Sequence, residues 1–449
     1  MYISRVLMDG VRSFHDERLV DLMLTAPDGS HEGWTVIAGR NGSGKTTLLR
    51  AIVLALAGPA RALQLLPVTK DWISLGAETG TVEVQLQYDP EMDRPKAGRL
   101  PVSGSFWAGL KWTTTEGTER TSEVRPDELL KRNASNIRKA AHNASWSEQP
   151  VGWFYAAYGP FRRLLGEGSE ATRLMLGPLP LARVATLFRE DASLAEGVQW
   201  LRYNHLRRLE GRQGAAEAVE FVIALLNDGL LPDGFEVDDV DSEALWLHRG
   251  NERFPLDEMS DGYRAVAALV IDLVRSVMET NVPAGYEVFG WTMNGQPVVE
   301  APGVVIIDEV EAHLHVSWQR RIGPWLSRHF PRVQFIVTTH SPYVCQEARP
   351  GGLIRLSGPN EPVGPSVLSM DEQRRIIHGT ADEAVVSQLF GLESLYTDET
   401  RYLRDQLAHL ETLLISGRGT EEEKLRYVAL QSELQTSPLG RVQELSDIR

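Results

Sequence analysis

Three apolar runs mark the chain: GWTVIAG (Gly33–Gly39), which ends on a glycine, and GVVIIDE (Gly303–Glu309) and VQFIVTTH (Val333–His340), which end on polar tips. Runs of this kind predict strands buried on both faces of a sheet. Other stretches alternate. Thr79–Pro90 sets Val82, Val84 and Leu86 against polar neighbours, which predicts a strand with one solvated face. Met1–Gly10, Glu17–Ala26 and Gly104–Thr115 read as strands of the same antiparallel kind. Gly44–Gly58 predicts a helix that stops at Gly58. From about Glu123 to Leu231 helical patterns dominate, at Leu194–Gly211 and Ala215–Gly234, interrupted by the strand-like Val151–Gly159. Phe235–Leu256 returns to alternation. A long helix then follows a Ser-Asp-Gly turn at Ser260–Gly262, with Val266, Val270, Leu273, Val274 and Val277 on one face. In the charged tail, Asp398–Thr436 holds two helical patterns joined by Gly-Arg-Gly, a helical hairpin. Leu403, Leu407, Leu410 and Leu414 stripe its first helix and need a cover, from its own second helix, from the head or from another chain.

Composition narrows the class. The 449 residues allow two to four domains, and 42% hydrophobic residues are ordinary for a globular chain. The single cysteine, Cys345, excludes an internal disulfide and a Cys-rich zinc site. No secretory leader and no run of about 18 apolar residues is present, so a cytoplasmic protein with no membrane partner is expected. A net charge of -15 argues against coating nucleic acid non-specifically. The basic stretches Arg132–His142 and Arg202–Arg212 are either local DNA contacts or solvated helix faces.

The chemistry sits at the strand tips. GRNGSGKT, Gly39–Thr46, has the glycine spacing of a phosphate loop between a strand and a helix. Gly39, Arg40, Asn41, Gly42, Ser43, Gly44, Lys45, Thr46 and Thr47 form the candidate nucleotide-binding set. Lys45 suits the β- and γ-phosphates of ATP, and Thr46 suits Mg²⁺. Asp308 and Glu309 close the second apolar run. In a doubly wound sheet that places them at the ligand crevice, Asp308 for Mg²⁺ and Glu309 to orient the attacking water. His340 lies at the tip of the third run, where a lone His is also an ordinary cap.

Phosphate loop, Ser260-Asp261-Gly262, acid pair and His340 occur in the fixed order of ABC-type ATPase heads, the class that includes RecF and SMC-like proteins, and the chain resembles it. The resemblance implies an α/β P-loop head with an antiparallel β subdomain, an inserted helical lobe and a C-terminal helical hairpin. It implies a signature turn, Ser260, Asp261 and Gly262, that acts in trans on a nucleotide bound by a second copy. It makes His340, with Glu309 and Lys45, part of the catalytic set, His340 meeting the γ-phosphate. The expected partition is 1–122 and 251–370 for the two parts of the head, 123–250 for the lobe and 371–449 for the extension. VRSF at Val11–Phe14 resembles the first strand of RecF-like heads; Arg12 is either near the nucleotide or an exposed strand residue.

IDEVEAHLHVSWQRR and the Tyr-Gly-x-x-Arg of Tyr158–Arg162 resemble bacterial defence ATPases related to OLD-family nucleases and to the Septu ATPase subunit. Arg162 or Arg163 is then either near the γ-phosphate or DNA, or at a solvated helix start. His313 and His315 read as a cap or interface rather than a metal pair, and Asp238–Glu243 as an acidic turn. A nuclease domain of the OLD type is not expected after His340. The resemblance implies an ATPase that works as a homodimer or a higher even-numbered oligomer and gates a separately encoded HNH-type nuclease. The alternatives are a RecF-like repair ATPase and a nucleotide-locked scaffold.

Overall fold

The computed structural model describes the chain except residues 27–28, 32, 68–70, 97–99, 102, 115–125, 130–138, 149, 163–178, 232–233, 393 and 435–449. Two units are defined, Met1–Val385 and Val386–Arg449.

The first unit is built on a six-stranded sheet. Its parallel part aligns β15 (Leu353–Leu356), β3 (Trp34–Gly39), β14 (Val333–Thr339), β13 (Gly303–Ile307) and β7 (Tyr155–Tyr158), and β16 (Ser366–Val367) adds an antiparallel edge. Every residue of β3, β13, β14 and β7 is buried, as expected for parallel strands covered on both faces. β14 lies between β3 and β13, so the C-terminal tips of all three open on one edge. β7 falls within 123–250, yet it pairs with β13.

A five-stranded antiparallel sheet has the order β2 (Val20–Met23), β1 (Tyr2–Asp9), β4 (Thr79–Gln87), β5 (Ser105–Thr113) and β6 (Asp127–Glu128). Helix α1 (Lys45–Ala57) packs against both sheets, touching β3, β4 and β5. It is apolar nearly all round, and Leu48 through Ala57 are buried apart from Arg50, as a helix enclosed on all sides requires. Val6, Val84 and Leu110 of one sheet and Ile37, Ile306 and Ile336 of the other share one core with Leu49 and Ile52 of α1.

The lobe pairs α2 (Ala195–Leu209) with α3 (Ala215–Asn227). A three-stranded meander follows: β8 (Glu236–Val240), β9 (Leu245–Arg249) and β10 (Glu252–Pro255). Helix α4 (Asp261–Asn281) begins at the Ser-Asp-Gly turn; Val270, Leu273, Val274 and Val277 are wholly buried and Val266 nearly so. Gly197 lets α2 approach α4, since a Cβ there would meet the Asp272 backbone at 3.1 Å. β11 (Phe289–Trp291) and β12 (Pro297–Val299) form a hairpin beyond α4.

In the second unit, α5 (Asp398–Ile415) turns at Gly417, φ 70°, into α6 (Glu421–Leu434). Leu403, Leu407, Leu410 and Leu414 are half-buried, while Ile415, Leu425 and Val428 stay exposed.

Ile306 is fully buried at the centre of β13, between two parallel neighbours. Ile306→Ala should therefore cost about 2–5 kcal/mol through lost transfer energy and a cavity. Urea denaturation of the purified variant measures this, and a loss below about 1 kcal/mol would contradict the packing described.

Candidate nucleotide site

The loop after β3 is shaped by its glycines. Gly44 has φ 97°, and a Cβ there would lie 2.6 Å from the Phe14 ring. At Gly39 a Cβ would meet the Leu356 carbonyl at 2.6 Å. Arg18 braces the loop from behind, donating to the carbonyls of Ser43 (3.3 Å), Ser357 (3.2 Å) and Gly358. It was not legible as a site residue, because its partners come from opposite ends of the chain. Arg40, Asn41 and Gly42 are exposed, while Ser43 and Thr47 are buried.

Lys45 Nζ donates to the carbonyls of Gly39 (2.8 Å) and Arg40 (3.1 Å). Burial lowers its pKa to about 8, against the opposing pull of Asp308, Glu309 and Glu311. Thr46 Oγ1 donates to Asp308 Oδ2 at 2.6 Å. The other Asp308 oxygen accepts from Thr338 Oγ1, which in turn accepts from the Glu309 N–H at 2.8 Å. Thr338, a buried residue of β14, thus ties the acid pair to the neighbouring strand.

Glu309 sits at φ 47°, and burial raises its pKa, with Asp308 and Glu311 adding to the rise. His340 lies across the same cleft; burial, then the Lys45 charge, lowers its pKa. The cleft has a volume of about 430 Å³ and is lined by Arg12, Asn41, Lys45, Thr46, Glu309 and His340, among others. Arg12 follows β1 in a turn at φ 49°, with its guanidinium over the Trp72 ring. It is exposed, but on the wall of this cleft rather than on a strand.

Glu311 was missed in the sequence. It accepts from Thr339 Oγ1 (2.7 Å) and from the His340 N–H, so it joins the β13 loop to the β14 loop. The third acid of Asp-Glu-Val-Glu was its only signal.

The signature residues lie outside the cleft lining. Ser260 is the N-cap of α4, but its side chain makes no capping bond; its carbonyl accepts from Tyr263 and Arg264 N–H. Ser260 and Asp261 are exposed, and Asp261 pairs with Arg264. Gly262 is held close, since a Cβ there would lie 2.2 Å from the His313 carbonyl.

His315 caps the short helix Val316–Gln319, its ring accepting from the Ser317 N–H at 3.3 Å. Asp241 accepts from Glu243 N–H (2.7 Å), Ala244 N–H (2.9 Å) and Trp246 Nε1 (2.7 Å), which makes a turn. Asp238 and Asp239 instead lie on β8, paired with Arg253 and Arg208. In the second basic stretch, Arg202, Arg208 and Arg212 bond to Ser242, Asp239 and Glu210. Arg163 and residues 132–138 lie outside the described residues.

A glycine loop between strand and helix, an acid pair just past the end of the strand one removed from it, and a His just past the end of the strand between have the arrangement of a P-loop ATPase head of the ABC type. Residues 119–346 match the family described as AAA domain, putative AbiEii toxin, Type IV TA system, and residues 5–97 match a second AAA domain family. The first match covers more than half of the chain, and the chain belongs to that family. It is 24% identical to the Septu protein PtuA of Bacillus mycoides (strain KBAB4) over 334 residues, 74% of this chain and 37% of that protein. It is 36% identical to the Retron Ec83 probable ATPase of Escherichia coli over 101 residues, 22% of this chain and 17% of that protein. The chain thus spans well under half the length of these relatives. Among solved structures, the SMC head domain from Thermotoga maritima is 15% identical, with a TM-score of 0.42, covering 82% of this chain and all of that one. No described helix is long and apolar enough to cross a membrane.

Burial at Lys45 has a pH consequence. Its folded pKa of about 8 lies below the usual lysine value of about 10.4. Between those values the unfolded chain binds more protons, so the penalty present at neutral pH is lifted as pH rises. The stability of wild type relative to Lys45→Met should therefore climb between about pH 8 and 10 in urea titrations. A flat or falling difference would show that the ammonium is not desolvated.

Proposed function

We propose that this chain binds and hydrolyses ATP as an ABC-type head that closes on a second copy, with nucleotide sandwiched between heads. The observation that carries the reading is the meeting of Thr46 and Asp308 at 2.6 Å, with Glu309 and His340 on the same cleft. The donor set fits a hard divalent cation, because both groups supply oxygen and are already in contact. Thr46 and Asp308 would hold Mg²⁺, which would neutralise charge on the β- and γ-phosphates. The backbone N–H groups of Asn41–Thr46 would cradle the phosphates, and Lys45 would exchange its two carbonyl bonds for phosphate oxygens. Glu309 would orient the attacking water and accept its proton, a task its raised pKa favours. His340, kept neutral by burial, would hydrogen-bond the γ-phosphate.

The trans role of Ser260 is supported by its geometry. It caps α4 in position but leaves its hydroxyl uncommitted and exposed, at a helix N-terminus suited to an anion. Its absence from the cleft lining suits a partner's nucleotide better than its own. The similarity to Septu and retron proteins supports a role in anti-phage defence, in which nucleotide-driven closure gates a separately encoded HNH-type nuclease. The hairpin α5–α6, with exposed Ile415, Leu425 and Val428, is then a docking element for that assembly.

Lys45→Ala should abolish ATP binding, since the loop loses its charge on the β/γ-phosphates. Glu309→Gln should bind ATP with near wild-type affinity yet turn over at least about 100-fold more slowly. Light scattering should find Glu309→Gln accumulating as a larger species with ATP and Mg²⁺. Unchanged turnover in Glu309→Gln would remove the hydrolysis assignment, and an ATP-independent mass would count against closure.

A further inference from the structure

Arg162 is buried, 5% exposed, and is not among the residues that line the cleft. It leaves β7 through Gly159-Pro160-Phe161 and turns beneath the loop that follows β13. There its guanidinium donates to the carbonyls of Glu309 (2.8 Å), Val310 (3.3 Å), Asp308 (3.4 Å) and Ala312 (3.5 Å). One planar fork with five donors suits this gathering of carbonyls, which a lysine could not copy. The same loop carries two non-glycine residues in left-handed backbone, Glu309 (φ 47°) and His313 (φ 67°). Such a backbone conformation persists only where surrounding contacts over-determine it. Burial lowers the pKa of Arg162 to about 10, with Glu311, Asp308 and Glu309 pulling it back up, so it remains a cation at neutral pH.

The far end of the loop has its own task. The His313 carbonyl packs where a Cβ on Gly262 would stand, against the first turn of α4. One loop therefore carries the Glu309 carboxylate at one end and supports the signature turn at the other. The geometry points to Arg162 as a positioning residue that pins Glu309–His313, holding Glu309 toward the cleft and the His313 carbonyl against Gly262. This rests on the hydrolysis reading for its kinetic consequence, but not for its structural one.

The test compares wild type, Arg162→Gln, Arg162→Lys and Glu309→Gln. ATP affinity in Arg162→Gln should stay within about threefold of wild type, while kcat falls on the order of 100-fold, the scale of an ångström misplacement. Arg162→Lys should recover only part of that loss, and guanidinium ion should partly rescue Arg162→Gln. Hydrogen exchange gives a readout independent of turnover. Amides of 309–313 should exchange faster in Arg162→Gln, while those of α1 keep wild-type protection. If wild-type turnover does not depend on Glu309, the hydrolysis reading fails, and the exchange result alone decides the pin. Unchanged exchange at 309–313 overturns the proposal, as does unchanged kcat in an enzyme whose Glu309→Gln is slow. Should Arg162→Gln not fold, Arg162→Lys decides by the same two readouts.

Discussion

The hydrogen bond from Thr46 to Asp308 spans 262 residues of sequence and 2.6 Å of space, and the arrangement of the candidate site depends on it. It can form only if β3 and β13 run parallel with their tips on one edge and β14 between them. The buried parallel strands enforce that order. Once it is in place, Thr338 bonds to both acids and Glu311 reaches the β14 loop. The site is thus knitted from three strand ends, and each end is fixed by burial rather than by local sequence.

The same strand end connects inward and outward. Inward, Tyr158 on β7 donates to the buried Asp272 of α4 at 3.0 Å, and Arg275 joins Asp272 to Glu196 of α2. Outward, the loop after β13 runs from Glu309 to the turn that starts α4. Burying these charged groups is costly unless they are paired, and here each has a partner of opposite charge or a hydroxyl. Helix α4 is therefore joined to the head sheet at its first turn and again at mid-length. The positions of the Ser260–Gly262 turn and of the Glu309 carboxylate are mechanically related in consequence.

Much of this was legible in the sequence, for identifiable reasons. The glycine spacing of Gly39–Thr46 encodes a backbone shape that admits few other readings, and Gly44 does adopt the left-handed conformation. Apolar runs with acid or His tips located the strands, and α1 ends at Gly58 as its sequence indicated. The hairpin after Asp398 followed from periodicity broken at Gly417. What stayed hidden depends on tertiary pairing. Val151–Gly159 reads as a strand, but nothing local reveals that Tyr155–Tyr158 joins β13. Arg18, Thr338 and Glu311 are ordinary residue types whose partners lie on other strands or loops. Arg162 stood out in the Tyr-Gly-x-x-Arg pattern, but it is buried on the carbonyls of the β13 loop rather than at a solvated helix start or on the cleft lining. Arg12 was equally ambiguous until the turn at φ 49° placed it on the cleft.

Shared sites across two copies are the central claim, and mixed dimers test it most directly. Lys45→Ala breaks the phosphate loop, and Ser260→Arg fills the space at the α4 N-terminus. Each homodimer then has two damaged sites. A mixed dimer has one doubly damaged site and one intact site. With subunit exchange verified by differently labelled copies, the account predicts ATP turnover in the mixture well above either variant alone. Turnover in the exchanged mixture no greater than the sum of the two separate variants would contradict a signature that acts in trans.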